Sequence, residues 1–322
     1  MNKNNFDSKW PEFFIGSESL PAIINNDCTC YGNSLLQVFI HTPTLINKVK
    51  NYPCLEVLKE YFYQLEQCHL KKKKINADDI IEFMTRGSKD LVFGRFNDTS
   101  ELLMNIIDKM PENDNIFKEI FCCENSTVYS CKHCGNEWRS ETNQHVRVNL
   151  ARTIIESLAE MSREKDVDGQ RTCNKCKISR NCSERFVIEE EPPVFGVKLP
   201  TSENQEKLER TLFPEKINIR PYTNVKKGCA VVYRLYAVVV FLPGHYYAYC
   251  RAPNGQWCKY NDSMVERVTL EEVFRSRASS LYYQRSPEID EDWGLNNDSN
   301  QEEQMTEINK SKFYIFLLYE FC

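Results

Sequence analysis

The sequence predicts an α+β fold, with helices in its first third and strands in the remainder. Apolar side chains recur three and four residues apart, as in amphipathic helices, over residues 31–49, 54–70 and 100–110. Short runs of β-prone residues occupy 126–130, 145–150, 192–199, 230–242, 245–252, 256–260 and 313–319. Helices followed by strands, without regular alternation, favour an α+β architecture over repeated βαβ units.

Composition is that of a soluble globular protein. The 322 residues are 41% hydrophobic and 27% charged, with a net charge of -5. That charge gives no support for nucleic-acid binding, which needs a clustered positive surface. No apolar run approaches the roughly 20 residues of a membrane helix, and the N-terminus lacks a signal-peptide core. We therefore expect a monomer of the cytoplasm or nucleus, with neither nucleic acid nor membrane as a partner.

One acidic segment differs from its surroundings. Residues 287–309 contain no lysine or arginine and many acids and amides. Such a composition buries too little apolar surface to fold by itself. We expect a disordered insertion before a last strand at 313–319.

Two cysteine pairs indicate a metal site. Cys131 and Cys134, and Cys173 and Cys176, are each separated by two residues, with 38 residues between the pairs. Two such turns supply the four thiolates of a tetrahedral zinc site. Four unrelated buried thiols or a redox CxxC fit less well, because neither pair has a thioredoxin-like context. We predict one structural Zn²⁺, bound at the tips of two separate hairpins.

A second cysteine pair lies at the start of the first helix. Cys30 falls where the helix begins, with Thr29 able to cap it, and a helix N-terminus lowers a thiol's pKa. Cys28 lies two residues earlier in the incoming loop and gains less from the helix. Cys30 is therefore the better candidate nucleophile.

A general base and its orienting partner occur near the end of the strand region. His245 follows a glycine at the start of an aromatic strand, where its ring can face a cleft. The next strand ends in Asn261 and Asp262, either of which can accept from the second ring N–H. These residues with Cys30 form a possible Cys-His-Asn/Asp triad, although the parts occur in most long sequences.

The same segments resemble the sequence boxes of the ubiquitin-specific proteases. CTCYGNSLLQ resembles that family's cysteine box, NTCYxNSxLQ, and GHYYAYCRAPNGQWCKYNDSMV resembles its histidine box. FNDTSELLMNIID resembles the QDAxEFLxxLLD helix, and the CxxC pairs occupy the place of the zinc-bearing fingers. PPVFGVKLP and FYIFLLY resemble the strand after the fingers and the closing strand. The similarity extends over nearly the whole chain, in the same order.

The resemblance implies a papain-like cysteine protease fold and a reaction. It implies a helical thumb over 1–115, zinc-binding fingers over 116–190 and a β-rich palm over 191–322, forming a single catalytic domain. The enzyme would be a deubiquitinase that binds ubiquitin and ubiquitinated proteins and cleaves after ubiquitin's C-terminal glycine. No cofactor enters the chemistry.

Individual roles follow from the matched positions. Cys30 matches the nucleophile, His245 the general base and Asn261 the third member of the triad. Asp262 matches a neighbouring acid that assists or substitutes. A thioester on Cys30 would form and then be hydrolysed by water.

Substrate contacts are implied in the same way. Asp98 and Glu101 match acids that bind the basic tail of ubiquitin. At an N-terminal helix position they also favour the helix dipole, and the two roles are compatible. Gly244 and Tyr246 would help to form a channel too narrow for side chains at the last two substrate positions.

The chain also departs from the family pattern. Cys28 stands where the family carries an oxyanion asparagine, and a thiol is a poor donor. The loop before His245 is short, and Phe96 and Asn97 replace glutamines before Asp98. These differences leave open a catalytically impaired ubiquitin-binding scaffold, or an isopeptidase for another ubiquitin-like modifier. A zinc-ribbon nucleic-acid binder conflicts with the net charge.

Overall fold

The structure is a computed structural model. It describes residues 9–50, 56–111, 115–140, 146–148, 153–167, 169–200, 212–224 and 229–290. The predicted strand at 313–319 and residues 291–309 of the acidic segment lie outside this range. The described start of that segment, Pro287–Ile289, is a 3-10 turn, and the next residue, Asp290, pairs with Arg285.

The chain divides into two compact units. Unit 1 comprises Met1–Cys122, Pro192–Glu209 and Tyr236–Gln284. Unit 2 comprises Cys123–Glu191, Arg210–Leu235 and Arg285–Cys322. The predicted boundaries at 115 and 190 stay a prediction about how a single catalytic domain is subdivided.

Helices dominate the first part of the chain, as the apolar spacing predicts. They are α1 (Cys30–Ile40), α2 (Pro43–Val49), α3 (Glu56–Leu70), α4 (Asp78–Thr85), α5 (Thr99–Lys109), α6 (Ile116–Phe121), α7 (Ile154–Ser162) and α8 (Leu270–Phe274). Of the α-helices in the described residues, α7 alone belongs to unit 2. Pro43 separates α1 from α2 because it is the first residue of α2, a position where the missing N–H costs nothing.

Strands form the later part of the chain. They are β1 (Asn125–Cys131), β2 (Glu137–Arg139), β3 (Val146–Arg147), β4 (Lys165–Asp166), β5 (Arg171–Thr172), β6 (Ser179–Arg180), β7 (Cys182–Ile188), β8 (Val194–Lys198), β9 (Lys216–Asn218), β10 (Val232–Leu242), β11 (His245–Arg251), β12 (Trp257–Asn261), β13 (Met264–Val268) and β14 (Ala278–Arg285). The predicted runs at 192–199, 230–242, 245–252 and 256–260 correspond to β8, β10, β11 and β12.

Helix α1 is the centre of unit 1 and is buried on every side. All eleven of its residues are buried, although the sequence predicts only one apolar face. It packs against β11, α2 and α5. A Cβ on Gly32 would come within 2.9 Å of the Ile81 side chain, so glycine permits the close approach of α4. The polar residues of α1 therefore need partners inside the protein.

The sheet of unit 1 runs in the order β13-β12-β11-β10-β14-β8. β11 pairs antiparallel with both β10 and β12, and Leu242 pairs with His245 across a two-residue turn. Gly244 has a φ of 79° in that turn, which a glycine adopts without strain. The tight turn fixes His245 as the first residue of β11.

Unit 2 contains a four-stranded antiparallel sheet in the order β2-β1-β7-β4, and a separate β5–β6 hairpin. In this unit β9 also pairs with the first residues of β10. A capping box formed by Thr153 and Glu156 begins α7. The turn after β1 and the β5–β6 turn carry the two CxxC pairs.

Candidate active site

Cys30 is the first residue of α1, and only 3% of its surface is exposed. Burial raises the pKa of its thiol, while the backbone N–H groups of Tyr246 and Tyr31 lower it and the charge of Asp262 raises it. The net pKa lies above the ordinary value of 9.0. The helix start alone therefore does not make Cys30 a thiolate, and a base is required.

His245 and Asn261 form a hydrogen-bonded pair. The distance between His245 Nε2 and Asn261 Oδ1 is 2.7 Å. An amide oxygen only accepts, so Nε2–H donates, and in the neutral imidazole this leaves Nδ1 as the acceptor. Antiparallel pairing places the start of β11 beside the end of β12, which brings the two side chains together. Tyr246, the residue after His245 on β11, directs its backbone N–H to the Cys30 sulfur, so the start of β11 passes beside the thiol.

Asp262 contacts two amides on the Cys30 side of the site. Its Oδ2 accepts from Asn25 Nδ2 at 2.9 Å, and its Oδ1 accepts from Asn33 Nδ2 at 2.8 Å. Its backbone oxygen also accepts from the N–H of Ile23 at 3.2 Å. The structure thus gives Asn261 the contact with His245, whereas Asp262 anchors α1 and the segment before it.

Asn25 holds the turn that leads into Cys30. Its Oδ1 accepts from both the backbone N–H and the Oγ1 of Thr29, each at 3.0 Å. Thr29 is the N-cap residue, but its side chain makes no capping hydrogen bond, so the predicted cap is wrong. The side-chain oxygen of Thr29 is turned back to Asn25 instead.

Cys28 lies outside this network of amides. It is exposed, and its φ of 50° is a left-handed conformation uncommon for a non-glycine residue. Its assignment to the oxyanion position stays a prediction. Asn25 is a second candidate: its amide group has two N–H bonds, and the contact with Asp262 uses one.

Asp98 has several partners within unit 1. Its Oδ1 accepts from the N–H groups of Ser100 and Glu101, as the N-cap of α5, and from Lys198 Nζ at 2.8 Å. Its Oδ2 accepts from the hydroxyl of Tyr246 at 3.2 Å. Glu101 lies exposed in the first turn of α5. The tail-binding roles of both acids stay predictions, and the carboxylate of Asp98 already has four donors.

The acid sensitivity of the fold should depend on Asp98. Burial raises the pKa of Asp98, but Lys198 and the two N–H groups more than offset this, so its pKa lies below the ordinary 3.8. A lowered carboxyl pKa stabilises the fold fully above 3.8, and this stabilisation is lost as pH falls through the folded-state value.

We expect Asp98→Asn to lower stability at neutral pH by about 1 kcal/mol or more, because asparagine still caps the helix but loses the pairing with Lys198. The difference from wild type should shrink as pH falls below 3.8. Urea unfolding midpoints across this pH range test it. The exposed Glu101→Gln is the matched control, and equal pH dependence in both variants would contradict the prediction.

Gly244 and Tyr246 flank His245 in the turn and on β11. A Cβ on Gly244 would meet no atom within 4 Å, so its positive φ, not lack of space, explains the glycine. The Tyr246 ring stacks on Phe96 at a centroid distance of 5.4 Å. Asn97 is buried and bonds to Val92 and Arg95, which closes its own loop. The ring of Tyr246, next to His245 in the chain, therefore packs against another aromatic ring.

The four predicted zinc ligands come together in unit 2. The sulfur atoms of Cys131, Cys134, Cys173 and Cys176 all lie within 4.8 Å of one another. Two of the sulfur pairs are separated by 3.7 and 3.9 Å. Zinc–sulfur bonds of about 2.3 Å at tetrahedral angles place sulfur atoms about 3.8 Å apart. The cluster therefore has the dimensions of a tetrahedral four-thiolate zinc site.

The two CxxC turns have the same backbone geometry. Gly135 and Lys177, each directly after a second cysteine, have φ values of 67° and 59°. Their N–H groups donate to the carbonyls of Cys131 and Cys173 at 2.8 and 3.0 Å. Backbone N–H groups within each turn lower the pKa of these same two thiols. This arrangement favours the thiolate form of Cys131 and Cys173, the form that binds metal.

A family model decides the relationship of the chain to known proteins. Residues 22–283 match the model described as Ubiquitin carboxyl-terminal hydrolase. The chain belongs to the ubiquitin carboxyl-terminal hydrolase family. The predicted ubiquitin-specific protease relationship is thus confirmed, and the matched range contains every residue of the candidate site.

Curated relatives with the same family description have low sequence identity to the chain. The chain is 27% identical over 297 residues to Ubiquitin carboxyl-terminal hydrolase 42 from Homo sapiens, covering 81% of this chain and 22% of the relative. It is 28% identical over 303 residues to Ubiquitin carboxyl-terminal hydrolase 17 from Arabidopsis thaliana, covering 82% and 42%. The chain thus spans less than half the length of these relatives.

Solved structures share the fold. A chain of the SAGA DUB module Ubp8/Sgf11/Sus1/Sgf73 bound to monoubiquitin has a TM-score of 0.68 at 21% identity, covering 83% of this chain and 69% of that one. A chain of the same module bound to ubiquitin aldehyde has a TM-score of 0.66 at 20% identity, covering 83% and 70%. The predicted α+β, papain-like fold class is confirmed, and the four-cysteine cluster is consistent with zinc-bearing fingers.

Several site residues have no counterpart among the sequence predictions. Asn25, Asn33 and Lys198 each bond to a predicted site residue. Asn25 and Asn33 lie within eight residues of each other around Cys30, so polar residues flanking a nucleophile are a usable signal. Lys198 gives no such signal, since its partner Asp98 is 100 residues away.

Within the described ranges, no helix is long and apolar enough to cross a membrane.

Proposed function

We propose that the chain is a cysteine-type deubiquitinase that hydrolyses the peptide or isopeptide bond after the C-terminal glycine of ubiquitin. The observation that carries the proposal is the 2.7 Å hydrogen bond between His245 and Asn261. His245 begins β11, and the backbone N–H of the next residue on that strand, Tyr246, faces the Cys30 sulfur. Family membership supplies the substrate class.

His245 Nδ1 takes the proton from Cys30, and the thiolate attacks the carbonyl carbon of the terminal glycine. The protonated imidazole then donates to the leaving amine, and a thioester to Cys30 remains. Water, deprotonated by His245, attacks the thioester, the C–S bond breaks, and the carboxylate of ubiquitin is released. Asn261 keeps His245 in the tautomer and orientation that both steps need.

Zinc has no part in these steps. The four thiolates of Cys131, Cys134, Cys173 and Cys176 would bind one Zn²⁺ and hold the two hairpins of unit 2 together. A site with four protein ligands has no open position for water or substrate. The role of the metal is therefore structural.

A ubiquitin carrying a C-terminal electrophile tests the proposal. We expect wild type to form a covalent adduct that peptide mapping places on Cys30, and Cys30→Ala to form none. The same electrophile on another ubiquitin-like modifier serves as the matched probe. Preferential reaction with that probe would support the alternative isopeptidase, and the absence of any adduct would support the scaffold.

The oxyanion donor can be tested separately. We propose that the second Asn25 N–H donates to the oxyanion, because its amide is fixed by Thr29 and Asp262 beside the nucleophile. Asn25→Ala should lower kcat by about 10²–10³, the usual cost of one oxyanion donor. Cys28→Ala should change kcat by less than about tenfold. A larger loss in Cys28→Ala than in Asn25→Ala would return the role to Cys28; thermal melts of both variants exclude unfolding.

A further inference from the structure

Two thiols flank a single residue at the start of α1. Cys28 is exposed in the incoming loop, whereas Cys30 is 3% exposed. Thr29, between them, has φ -94° and ψ 9°, which lie in the compact bridge region beside the helical one. Consecutive Cα atoms are about 3.8 Å apart, and a residue in this compact region places the Cα atoms on either side of it roughly 5.5 Å apart. Disulfides form across Cα separations of about 4.4–6.8 Å, so the Cα separation of these two cysteines lies in the range that a disulfide spans.

The side chains are also within electrostatic reach of each other. Burial is the largest cause of the raised pKa of Cys30. The charge of Cys28 is a smaller cause that acts in the same direction. Cys28 lies in the loop before the helix, so its χ1 can turn without disturbing the α1 hydrogen bonds.

We propose that Cys28 is a resolving thiol that captures oxidised Cys30 as an intramolecular disulfide. The inference rests on the proposed function in one respect, since it takes Cys30 to be the thiolate that His245 generates. It adds a reversible, peroxide-driven modification site to that nucleophile.

The chemistry has two steps, with hydrogen peroxide as the oxidant. The Cys30 thiolate attacks one peroxide oxygen, an S–O bond forms, the O–O bond breaks and hydroxide leaves. Sulfur is thereby oxidised by two electrons to a sulfenic acid. The Cys28 thiolate then attacks the Cys30 sulfur, an S–S bond forms, the S–O bond breaks, and the departing hydroxide takes a proton and leaves as water.

Capture by Cys28 would protect the nucleophile. A sulfenic acid that is not captured is oxidised further to sulfinic and sulfonic acids, which thiol reductants do not reverse. A disulfide is reduced by thiol exchange, and the exposed Cys28 sulfur gives a reductant access. The enzyme would be switched off by peroxide and restored by a dithiol.

The sequence makes the product directly measurable. No lysine or arginine lies between Lys9 and Lys48, so trypsin releases Cys28 and Cys30 in one peptide that contains no other cysteine. After peroxide and alkylation of free thiols, this wild-type peptide should be unalkylated and two hydrogen atoms lighter. Dithiothreitol should then make both thiols available for alkylation.

Variants separate the resolving role from general oxidation. In Cys28→Ala, and in Cys28→Ser as a second variant, Cys30 should reach the sulfinic acid, and at least about fivefold less of it should be recovered by dithiothreitol. Cys229→Ala removes an exposed thiol of unit 2 and should behave as wild type. Recovery is expressed relative to the untreated sample of each variant.

Two results would overturn the proposal: a wild-type peptide that carries sulfinic acid without the disulfide, or equal recovery of Cys30 in wild type and both Cys28 variants. The mass readout needs no ubiquitin. A chain that forms the disulfide but never reacts with ubiquitin electrophiles would therefore contradict the proposed function alone.

Discussion

His245→Ala is expected to lower kcat/KM by about 10³ or more, near the upper range for loss of a general base. Burial raises the pKa of Cys30 above 9.0, so near neutral pH the isolated thiol is almost entirely protonated. The thiolate, not the thiol, is the nucleophile. Without the imidazole, nothing at the site removes the proton efficiently.

The pH dependence of this variant gives a second readout. Because the pKa of Cys30 is raised above 9.0, the thiolate fraction should increase about tenfold per pH unit well below that value and should still be increasing at pH 9.0. The residual activity of His245→Ala should increase with this thiolate fraction. The wild type should depend on it less, because His245 removes the proton from Cys30. Steady-state cleavage of a fluorogenic ubiquitin substrate across this range measures both proteins.

Asn261→Ala is the matched control for His245→Ala. It retains the base but removes the 2.7 Å hydrogen bond that orients the ring. We expect a smaller loss in kcat, because His245 still visits the productive orientation. Activity of His245→Ala within tenfold of wild type, or a greater loss in Asn261→Ala, would contradict the assignment of His245 as the base.

Cys173→Ser is expected to abolish zinc binding and to unfold the region around the two hairpins of unit 2. Binding of structural zinc contributes about 10–16 kcal/mol in zinc-finger peptides, which is comparable to the whole stability of a domain. Loss of one thiolate opens the coordination shell and removes much of this energy. Metal analysis should give one zinc per wild-type chain and none in the variant.

Cys182→Ser is the matched control for the zinc prediction. Cys182 is buried and pairs with Cys131 across β7 and β1, but it is not one of the four clustered sulfurs. It should keep its zinc and its thermal unfolding should change little. Wild-type protein without zinc, or a Cys173→Ser variant that retains it, would rule out the four-thiolate site.

The spacing of apolar residues in the sequence predicts where helices lie along the chain better than it predicts which of their faces are buried. Helices α1, α2, α3 and α5 match the predicted segments, with α1 and α5 beginning one residue earlier than predicted. The spacing gives no indication that α1 is buried all round, because neighbouring helices and strands decide what its polar face meets. Apolar spacing also misses α4, α6, α7 and α8, although the capping box of α7 is legible in the sequence.

For the candidate active site, too, the sequence predicts the residues and the structure shows their contacts. Cys30, His245 and Asn261 are predicted from motifs, and the structure brings His245 and Asn261 into contact. The sequence left Asn261 and Asp262 as alternatives. The structure distinguishes them because the left-handed φ of Asp262 turns the chain at the end of β12 and directs its carboxylate to Asn25 and Asn33.

The sequence by itself determined the family, the α+β class and the two CxxC turns. Each of these depends on residues that lie close together in the chain at characteristic spacings. Only the tertiary structure decided what the neighbouring side chains do. Asp262 meets Asn25 across 237 residues of chain, and Asp98 meets Lys198 across 100. Such contacts depend on strand register and helix packing, which local periodicity does not encode. For that reason the motifs show which cysteine is matched to the nucleophile, whereas the amides and N–H groups around it emerge only from the folded chain.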